Sequence, residues 1–559
     1  MTDENTQLLN DPSTSRATAR RARAVNIWTL GAFLIGASVI LPILAVVWMA
    51  LNPVENVWPH LVRTVLGGYV KNTAILALCV AGLAAIVGTG AAWLIAMYRF
   101  PGSRWLEWLL LFPLAIPAYV GAYALVDFLE YAGPVQVTLR EVFGWENARA
   151  YWFPEIRSRW AAVVVLAAAL NPYVYLLART AFREQSGGIY EVARALGAGP
   201  FARFWRVGLP LARPAIAAGS AIVMMETVSD FGVVEFFAVQ TLTTGIFTTW
   251  LEMGNAGGAA QIAVLILMIV LVLLGIEKSS RSKSRFYQLS RHHRPVEPIT
   301  LVGYGRWLAT FVCAVPFLIG FALPVGVMGW HAAANADGWL SPGLLRALWH
   351  TVFVGGSAAV LTVTAALFLV YGLRMSASTA PRRLLPLTTI GYAAPGAVLG
   401  VGILTPLAFL DNRLADGILA VTGFDPGLML TGTAFAVIYA YGVRFFAIAQ
   451  NAADAAMERV PPSLPMAARS LGRTRAGALR EVYVPLIKGS VGTALLLVFV
   501  DCVKELPATL LLRPFNYNTL STRVYEKASL EQIGEASPAA LLVILVGLAA
   551  VALMARASR

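Results

Sequence analysis

The stretch EVARALGAGPFARFWRVGLP, Glu191 to Pro210, decides the fold because a related stretch stands 275 residues later. The later stretch, MAARSLGRTRAGALREVYVP, runs from Met466 to Pro485 and aligns without a gap. Six positions coincide, namely Ala193/Ala468, Arg194/Arg469, Leu196/Leu471, Gly197/Gly472, Val207/Val482 and Pro210/Pro485. A repeat period of nearly half the chain indicates a duplicated architecture. Each copy is polar and basic between long apolar runs, which predicts a short helix, a glycine break and a second segment at the membrane surface.

The composition of the 559 residues is that of a membrane protein, since 58% are hydrophobic and only 13% are charged. A membrane-spanning helix needs about 20 mostly apolar residues. Twelve runs qualify, and they begin near Ile27, Val70, Trp105, Trp160, Leu211, Ala259, Trp307, Leu344, Leu384, Leu428, Leu486 and Pro538. We therefore expect an all-α polytopic membrane protein of about 12 transmembrane helices, arranged as two homologous six-helix halves.

The distribution of charge indicates membrane topology and argues against a nucleic-acid partner. The net charge is +13, and most of the 43 Lys and Arg residues fall between spans on one side if the N-terminus is cytoplasmic. These basic clusters include Arg179 to Arg213 and Arg444 to Lys488. Because cytoplasmic loops carry an excess of Lys and Arg, we expect both termini to be cytoplasmic in a multi-pass protein.

The chain divides into four predicted segments. Residues 1–25 form a polar cytoplasmic tail, 26–277 a first six-helix domain, 278–305 a charged, Ser-rich linker, and 306–559 a second six-helix domain. The third span of each half carries a proline, Pro117 and Pro395, at a similar depth. Prolines kink or break helices, and broken helices tend to line the pathway of a transporter.

Two pairs of acidic residues follow the repeated stretches at the same offset, because Glu226 aligns with Asp501 and Asp230 with Glu505. Residues four apart on a helix lie on one face. A carboxylate at the bilayer centre costs about 2.5–3.5 kcal/mol, so these side chains should face protein or water. Oxygen ligands suit hard cations, which makes the four acids candidates for a transport pathway and for transient metal binding.

Two other interpretations of the acidic pairs stay open at this stage. The pairs could lie at the outer ends of shortened spans. Alternatively, Asp501, Lys504 and Glu505 could simply neutralise one another.

The repeated stretches resemble the cytoplasmic "EAA" loop of ABC-importer permeases, in which an acidic residue and small residues precede a glycine and a final Leu-Pro. The resemblance implies a coupling helix that docks on an ATPase subunit. The coupling residues it implies are Glu191, Ala193, Arg194, Gly197, Leu209, Pro210, Ala468, Arg469, Gly472 and Pro485. The second copy departs from the motif at Met466, which replaces the acidic residue.

A more specific resemblance lies in METVSDFGVVEFFAVQTLTTGIFTTW, residues 225–250, and KELPATLLLRPFNYNTLSTRVYE, residues 504–526. Both strings resemble fused, two-domain permeases of ferric-iron ABC importers, whose fold is of the type I importer kind. The resemblance implies Fe(III) as cargo, a periplasmic iron-binding protein and two cytoplasmic ATPase subunits that carry ATP and Mg. It also implies the inner membrane of a bacterium as the location.

The sequence contains no GxxxxGK[ST] string and no HExxH, GxSxG or Cys-x-x-Cys motif. We therefore expect a transport subunit without catalytic activity of its own. Thiamine, a polyamine or a phosphonate remain alternative cargoes within the same class. A proton-coupled secondary transporter that uses the four acids as a relay is the alternative from another class.

Overall fold

The computed structural model describes residues 27–284, 297–375, 388, 391, 394–461 and 463–557. The predicted N-terminal tail lies outside the described residues, as do residues 285–296 of the predicted linker. The beginning of the apolar run at Leu384 also lies outside them. The described part of the chain is predominantly helical.

Most helices of the first half connect through short segments, and the longest connection, residues 144–158, precedes the helix that begins at Arg159. The elements of this half are α1 (Ile27–Leu51), α2 (Trp58–Thr64), α3 (Leu66–Met97), β1 (Tyr98–Arg99), α4 (Ser103–Leu109), α5 (Ala118–Leu129), α6 (Pro134–Phe143), α7 (Arg159–Arg183), α8 (Gly187–Ala195), α9 (Pro200–Arg203), α10 (Leu209–Ser229), α11 (Gly232–Phe236), α12 (Leu242–Phe247) and α13 (Ala256–Ser284). A 3₁₀ turn at Phe112–Ala115 precedes α5, and a π turn at Phe204–Gly208 leads into α10.

The last six helices of the second half repeat the order of the last six helices of the first half. The elements of the second half are β2 (Ile299–Thr300), α14 (Tyr304–Phe317), α15 (Leu323–Ala334), α16 (Leu344–Met375), α17 (Gly396–Thr422), α18 (Ala434–Arg444), α19 (Phe446–Glu458), α20 (Ser463–Ser470), α21 (Arg475–Ala478), α22 (Val484–Lys504), α23 (Pro507–Leu512), α24 (Leu520–Ser529) and α25 (Ile533–Ala557). A π turn at Leu479–Tyr483 leads into α22, at the place equivalent to the π turn before α10.

The predicted multi-pass helical fold is confirmed. Ten helices of the described residues are long and apolar enough to cross a membrane, and they coincide with ten of the predicted runs. The run at Trp105 is a helix pair, Ser103–Ala115 and Ala118–Phe143, bent by 97°. The run at Leu428 folds as the short apolar helix α18, followed directly by α19.

Both prolines of the third spans stand directly before a helix. Pro117 precedes α5 with ψ 135°, and Pro395 precedes α17 with ψ 151°. These extended conformations cannot continue a helix, so each proline separates the helix after it from the segment before it. The predicted breaks therefore lie at equivalent places in the two halves.

The two halves share their buried cores. Helix α1 packs against α16 and α17 of the second half, and α15 packs against α5 of the first half. Each of three clusters of buried apolar side chains draws on both halves; one contains Val39 and Val398, another Leu76 and Val543. The predicted domain boundaries thus describe a sequence repeat, whereas the hydrophobic packing joins the repeats into one body.

Helix α13 continues to Ser284, seven residues beyond the predicted end of the first half at residue 277. Lys278, Arg281 and Lys283 are good helix formers, which favours continuation of the helix beyond the apolar run. Within the predicted linker, Ile299 and Thr300 pair in parallel with Tyr98 and Arg99. A two-residue strand carries no periodicity, so sequence patterns could not predict this contact.

Candidate functional site

The acidic pairs lie where two spanning helices end. Helix α10 ends at Ser229 and Asp230 has ψ 139°; helix α22 ends at Lys504 and Glu505 has ψ 123°. The prediction that both members of each pair share one helical face is therefore wrong for Asp230 and Glu505. Only Glu226 and Asp501 lie within their helices.

The departure from helical structure has a physical cause, because Asp230 and Glu505 cap the short helices that follow. Asp230 Oδ1 accepts hydrogen bonds from the backbone N–H groups of Val233 at 3.0 Å and Val234 at 3.2 Å. Glu505 Oε1 accepts one from the N–H of Ala508 at 2.9 Å. A carboxylate satisfies free N–H groups at a helix N-terminus and is stabilised there by the helix dipole.

Matching hydrogen bonds hold the segment after each cap. Thr73 Oγ1 accepts a hydrogen bond from the N–H of Leu242 at 3.0 Å, and Thr351 Oγ1 accepts one from the N–H of Leu520 at 2.7 Å. These residues begin α12 and α24, and each of those helices starts with a Thr capping box. The two halves therefore build the same local structure around their acidic residues.

A cavity of about 190 Å³ lies between these helix ends. We call it the inner cavity. Charged residues dominate its polar lining, and they are Glu226, Arg444, Asp501, Lys504 and Glu505. Its apolar wall includes Tyr173, Val270 and Pro395, the residue at the break before α17.

A second cavity of about 160 Å³, which we call the outer cavity, shares five lining residues with the inner one. The shared residues are Glu226, Ser229, Arg444, Lys504 and Glu505. The outer cavity adds Asp230 and Pro117, the residue at the break before α5. All four predicted acids thus line one or both cavities, and so do both break prolines. Their role in transport stays a prediction.

Arg444 lines both cavities, which corrects its prediction as one of the basic residues of a cytoplasmic loop. Its Nη1 forms an ion pair with Glu505 Oε1 at 3.1 Å, and its side chain is only 17% exposed. Arg444 ends the apolar helix α18, which is too short to cross a membrane. The sequence did contain a sign of this position: the apolar run that forms α18 is too short to cross a membrane, so a charge at its end lies inside the protein.

Lys504 has two partners at the cavities. Its Nζ lies 3.7 Å from Asp501 Oδ1 and donates a hydrogen bond to the carbonyl oxygen of Leu114 at 2.9 Å. The interpretation in which Asp501, Lys504 and Glu505 neutralise one another therefore holds for the first two residues only. Glu505 is paired with Arg444 instead.

The four carboxylates do not form a closed coordination shell. Among the described residues, no group of three or more His, Cys, Asp or Glu side chains is close enough to hold one metal ion. The acids are distributed along two adjoining cavities, which is an arrangement suited to successive contacts with a passing ion. Transient metal binding by these residues remains a prediction.

Gly396 permits the close packing around the Arg444–Glu505 ion pair. A Cβ atom there would overlap both Glu505 Oε1 and Arg444 Nη1. We expect Gly396→Ala to lower the apparent Tm by about 3 °C or more, because overpacking typically costs about 1–3 kcal/mol. Gly417→Ala in the same helix is the matched control, since no atom of the described residues lies within 4 Å of the place its Cβ would take. An equal Tm change in both variants, measured by thermal denaturation in detergent, would contradict this packing role.

The two repeated loops have the turn that the sequence predicts. Helix α8 ends before Gly197 with φ +81°, and α20 ends before Gly472 with φ +82°. The N–H of the residue after each glycine bonds back five residues, from Ala198 to Ala193 O at 2.9 Å and from Arg473 to Ala468 O at 3.0 Å. This 6→1 bond with a left-handed glycine is a Schellman motif.

Both loops present apolar side chains to their surroundings. Leu196 and Leu471 occupy equivalent positions and are each 82% exposed, and Met466 is 66% exposed. Pro210 and Pro485 stand in the first turns of α10 and α22, as a proline at a helix start should. Exposed apolar residues on two equivalent turns are typical of a surface that binds another protein.

The first loop is braced by an aromatic cluster around Trp93. The Trp93 ring lies 5.8 Å from Tyr190 and 5.2 Å from both Phe182 and Phe204, measured between centroids. A Cβ at Gly208 would overlap the Trp93 ring, so a glycine is required there. In the second half the corresponding region holds a Tyr371–Tyr483 pair at 5.4 Å.

Part of the chain matches a known family of transport proteins. Residues 84–278, which include α8, Gly197 and Glu226, match the family described as binding-protein-dependent transport system inner membrane component. The multi-pass helical fold and the duplicated loops agree with this match, and the chain is similar to permeases of ABC transporters.

The relatives indicate the fused, two-domain kind of permease. The chain is 27% identical to the Fe(3+)-transport system permease protein FbpB 2 of Haemophilus influenzae, over 92% of this chain and 95% of that protein. It is 24% identical to the ferric transport system permease protein FbpB of Actinobacillus pleuropneumoniae, over 82% and 67%. The molybdenum transport system permease protein ModB of Escherichia coli K12 is 26% identical, over only 36% of this chain and 90% of its own length.

Proposed function

We propose that this permease carries Fe(III) through the membrane as part of an ATP-driven importer. The observation that carries the proposal is the pair of adjoining cavities, around which four carboxylates outnumber two basic side chains. Carboxylate oxygens are the ligands that hard, highly charged cations prefer. The likeness to ferric-iron permeases along nearly the whole chain supports the same cargo.

The two repeated loops are proposed to dock two cytoplasmic ATPase subunits, on which ATP and Mg bind. Their equivalent turns at Gly197 and Gly472 and their exposed leucines provide matching surfaces for two copies of one partner. Each loop continues directly into α10 or α22, at whose other ends the acidic residues lie. Movement of the docked subunits would therefore tilt the helices around the cavities, as in alternating access.

A periplasmic iron-binding protein is proposed to deliver the cargo on the opposite side of the membrane. The connection between α5 and α7 provides a surface there, because Trp152 is 86% exposed and Phe143, Trp145 and Tyr151 are stacked at 4.8 and 4.7 Å. Rigid, exposed aromatic side chains are enriched where proteins bind one another. This orientation places both termini and both loops in the cytoplasm.

Other cargoes fit the cavities less well. Molybdenum-type oxyanions and phosphonates carry negative charge, which the excess of carboxylates would repel. A polyamine would suit the acids, and thiamine is also cationic, but the relative matched along nearly its whole length is named for Fe(3+) transport. A proton-coupled carrier would have no use for two equivalent docking loops.

The proposal is tested by ATP hydrolysis in the reconstituted permease–ATPase complex. Addition of the binding protein loaded with Fe(III) should stimulate hydrolysis at least about 5-fold, whereas the empty binding protein should stimulate it less. Stimulation by a molybdate-binding protein in place of the iron-loaded one would reject iron as the cargo. Failure of the permease to bind any ATPase subunit would reject the importer class.

A further inference from the structure

The inner and outer cavities are stacked along helix α7. The outer cavity touches Leu166 and Leu170, whereas the inner cavity touches Tyr173, closer to the end of α7 that leads to the first loop. At 1.5 Å per residue, Tyr173 lies about 4.5 Å beyond Leu170 and about 10 Å beyond Leu166 along the helix. The side chains that line both cavities therefore stand between them.

Two of these shared side chains are basic. The guanidinium of Arg444 is paired with Glu505, whose side chain is 2% exposed, at 3.1 Å. Enclosing such an ion pair contributes little stability, because desolvation offsets most of the attraction. Stability therefore does not account for the Arg444–Glu505 ion pair, and its position between the two cavities suggests another role.

Lys504 adds a contact between the halves at the same level. It belongs to the second half, yet its Nζ donates to the carbonyl of Leu114 in the first half at 2.9 Å. Leu114 lies in the 3₁₀ turn that ends shortly before the break at Pro117. A rocking motion of one half against the other would stretch this hydrogen bond, so the contact depends on the conformation of the transporter.

We propose that Arg444 and Lys504 are tethered cations that close the acidic passage when no cargo is present. In this closed state the Arg444 guanidinium pairs with the Glu505 carboxylate and the Lys504 ammonium pairs with the Asp501 carboxylate. Ambient monovalent and divalent cations are therefore excluded from these carboxylates. A trivalent ion can replace both side chains because it brings three positive charges to the carboxylates, whereas the two tethered groups together bring two. The two basic residues would thus determine specificity for highly charged cations, an inference that rests on the proposed transport function.

The physical basis is the behaviour of acidic constrictions in general. Rings of Asp and Glu side chains attract cations and conduct them. Glu226 and Asp501 in the lining would draw cations into the cavities, where the fixed positive charges of Arg444 and Lys504 oppose them. A fixed charge attached to the protein blocks the site without being transported.

The test is a leak assay that needs neither ATP nor a binding protein. Proteoliposomes that contain the permease–ATPase complex and a Mn²⁺-quenched dye are exposed to external Mn²⁺. We expect Arg444→Gln to increase the rate of quenching at least about 10-fold over the unmodified complex. Arg374→Gln is the matched control, because Arg374 pairs with Asp454 at 3.0 Å but lines neither cavity.

Lys504→Gln is a second variant that leaves the Arg444–Glu505 pair in place, and it too is expected to leak. It decides the matter if Arg444→Gln does not assemble with the ATPase, as judged by size-exclusion chromatography. A leak in either cavity variant, but not in Arg374→Gln, supports the closure. Tight vesicles with every cavity variant that assembles, or an equal leak in the control, would overturn it. Because no iron is used, this result is independent of whether Fe(III) is the cargo.

Discussion

Glu226→Gln combined with Asp501→Asn is expected to reduce ATP-driven Fe(III) uptake about 100-fold. Both substitutions keep the size of the side chain and remove its charge from the cavity lining. If each carboxylate stabilises the passing cation by about 1.4 kcal/mol, each loss lowers the rate about tenfold and the two losses multiply. Asp230 and Glu505 are unsuitable for this test because their carboxylates also cap helices.

The control for the double variant is Asp454→Asn, which removes a carboxylate that is 51% exposed and lines neither cavity. Uptake by this variant should stay within about 2-fold of the unmodified complex, as surface ion pairs contribute little. Co-purification of the ATPase should be normal in both variants. Unchanged uptake by the double variant would show that these acids are not part of the cation pathway.

Gly197→Val and Gly472→Val are each expected to release the ATPase and reduce coupled uptake more than about 10-fold. The glycines have φ +81° and +82°, a region that a β-branched residue adopts only at a cost. That cost is about 1–3 kcal/mol, and the exposed turn can avoid it by adopting a different backbone conformation. Within the described part of the chain, nothing lies within 4 Å of where either Cβ would stand, so the effect comes from backbone conformation and not from a clash.

Gly199→Ala is the matched control in the same loop, since Gly199 has φ −65° and no described atom lies within 4 Å of the place its Cβ would take. The measurement is co-purification of the ATPase with each variant, followed by uptake. Retention of the ATPase by both valine variants would contradict the docking role of the loops. A loss confined to Gly197→Val would instead indicate that the second loop, in which Met466 replaces the acidic residue, carries less of the coupling.

The repeat in the sequence predicted more of the structure than any single motif. Because Gly197 and Gly472 occupy the same place in it, the two left-handed turns followed from one comparison of the chain with itself. The alignment of Glu226 with Asp501 likewise predicted that four acids would be related by the duplication. The structure places them around the same two cavities.

The ends of the spanning helices could not be predicted in the same way. Two acidic residues four positions apart are compatible with a continuous helix. They are equally compatible with a helix that ends between them, where the second residue caps the next helix. Only the backbone N–H groups of Val233 and Ala508 decide between them, and their positions depend on the tertiary fold. The same limit applies to Arg444, whose partner Glu505 lies 61 residues further along the chain.

The most direct test of the account is uptake of radiolabelled Fe(III) into proteoliposomes that contain this chain. The ATPase and the iron-binding protein are added or withheld, with ATP on either side of the membrane. We predict uptake only with all components present and with ATP on the side of the ATPase. Uptake driven by a proton gradient without the ATPase would contradict the assignment as an importer permease, and ATP hydrolysis coupled to no iron uptake would contradict the cargo.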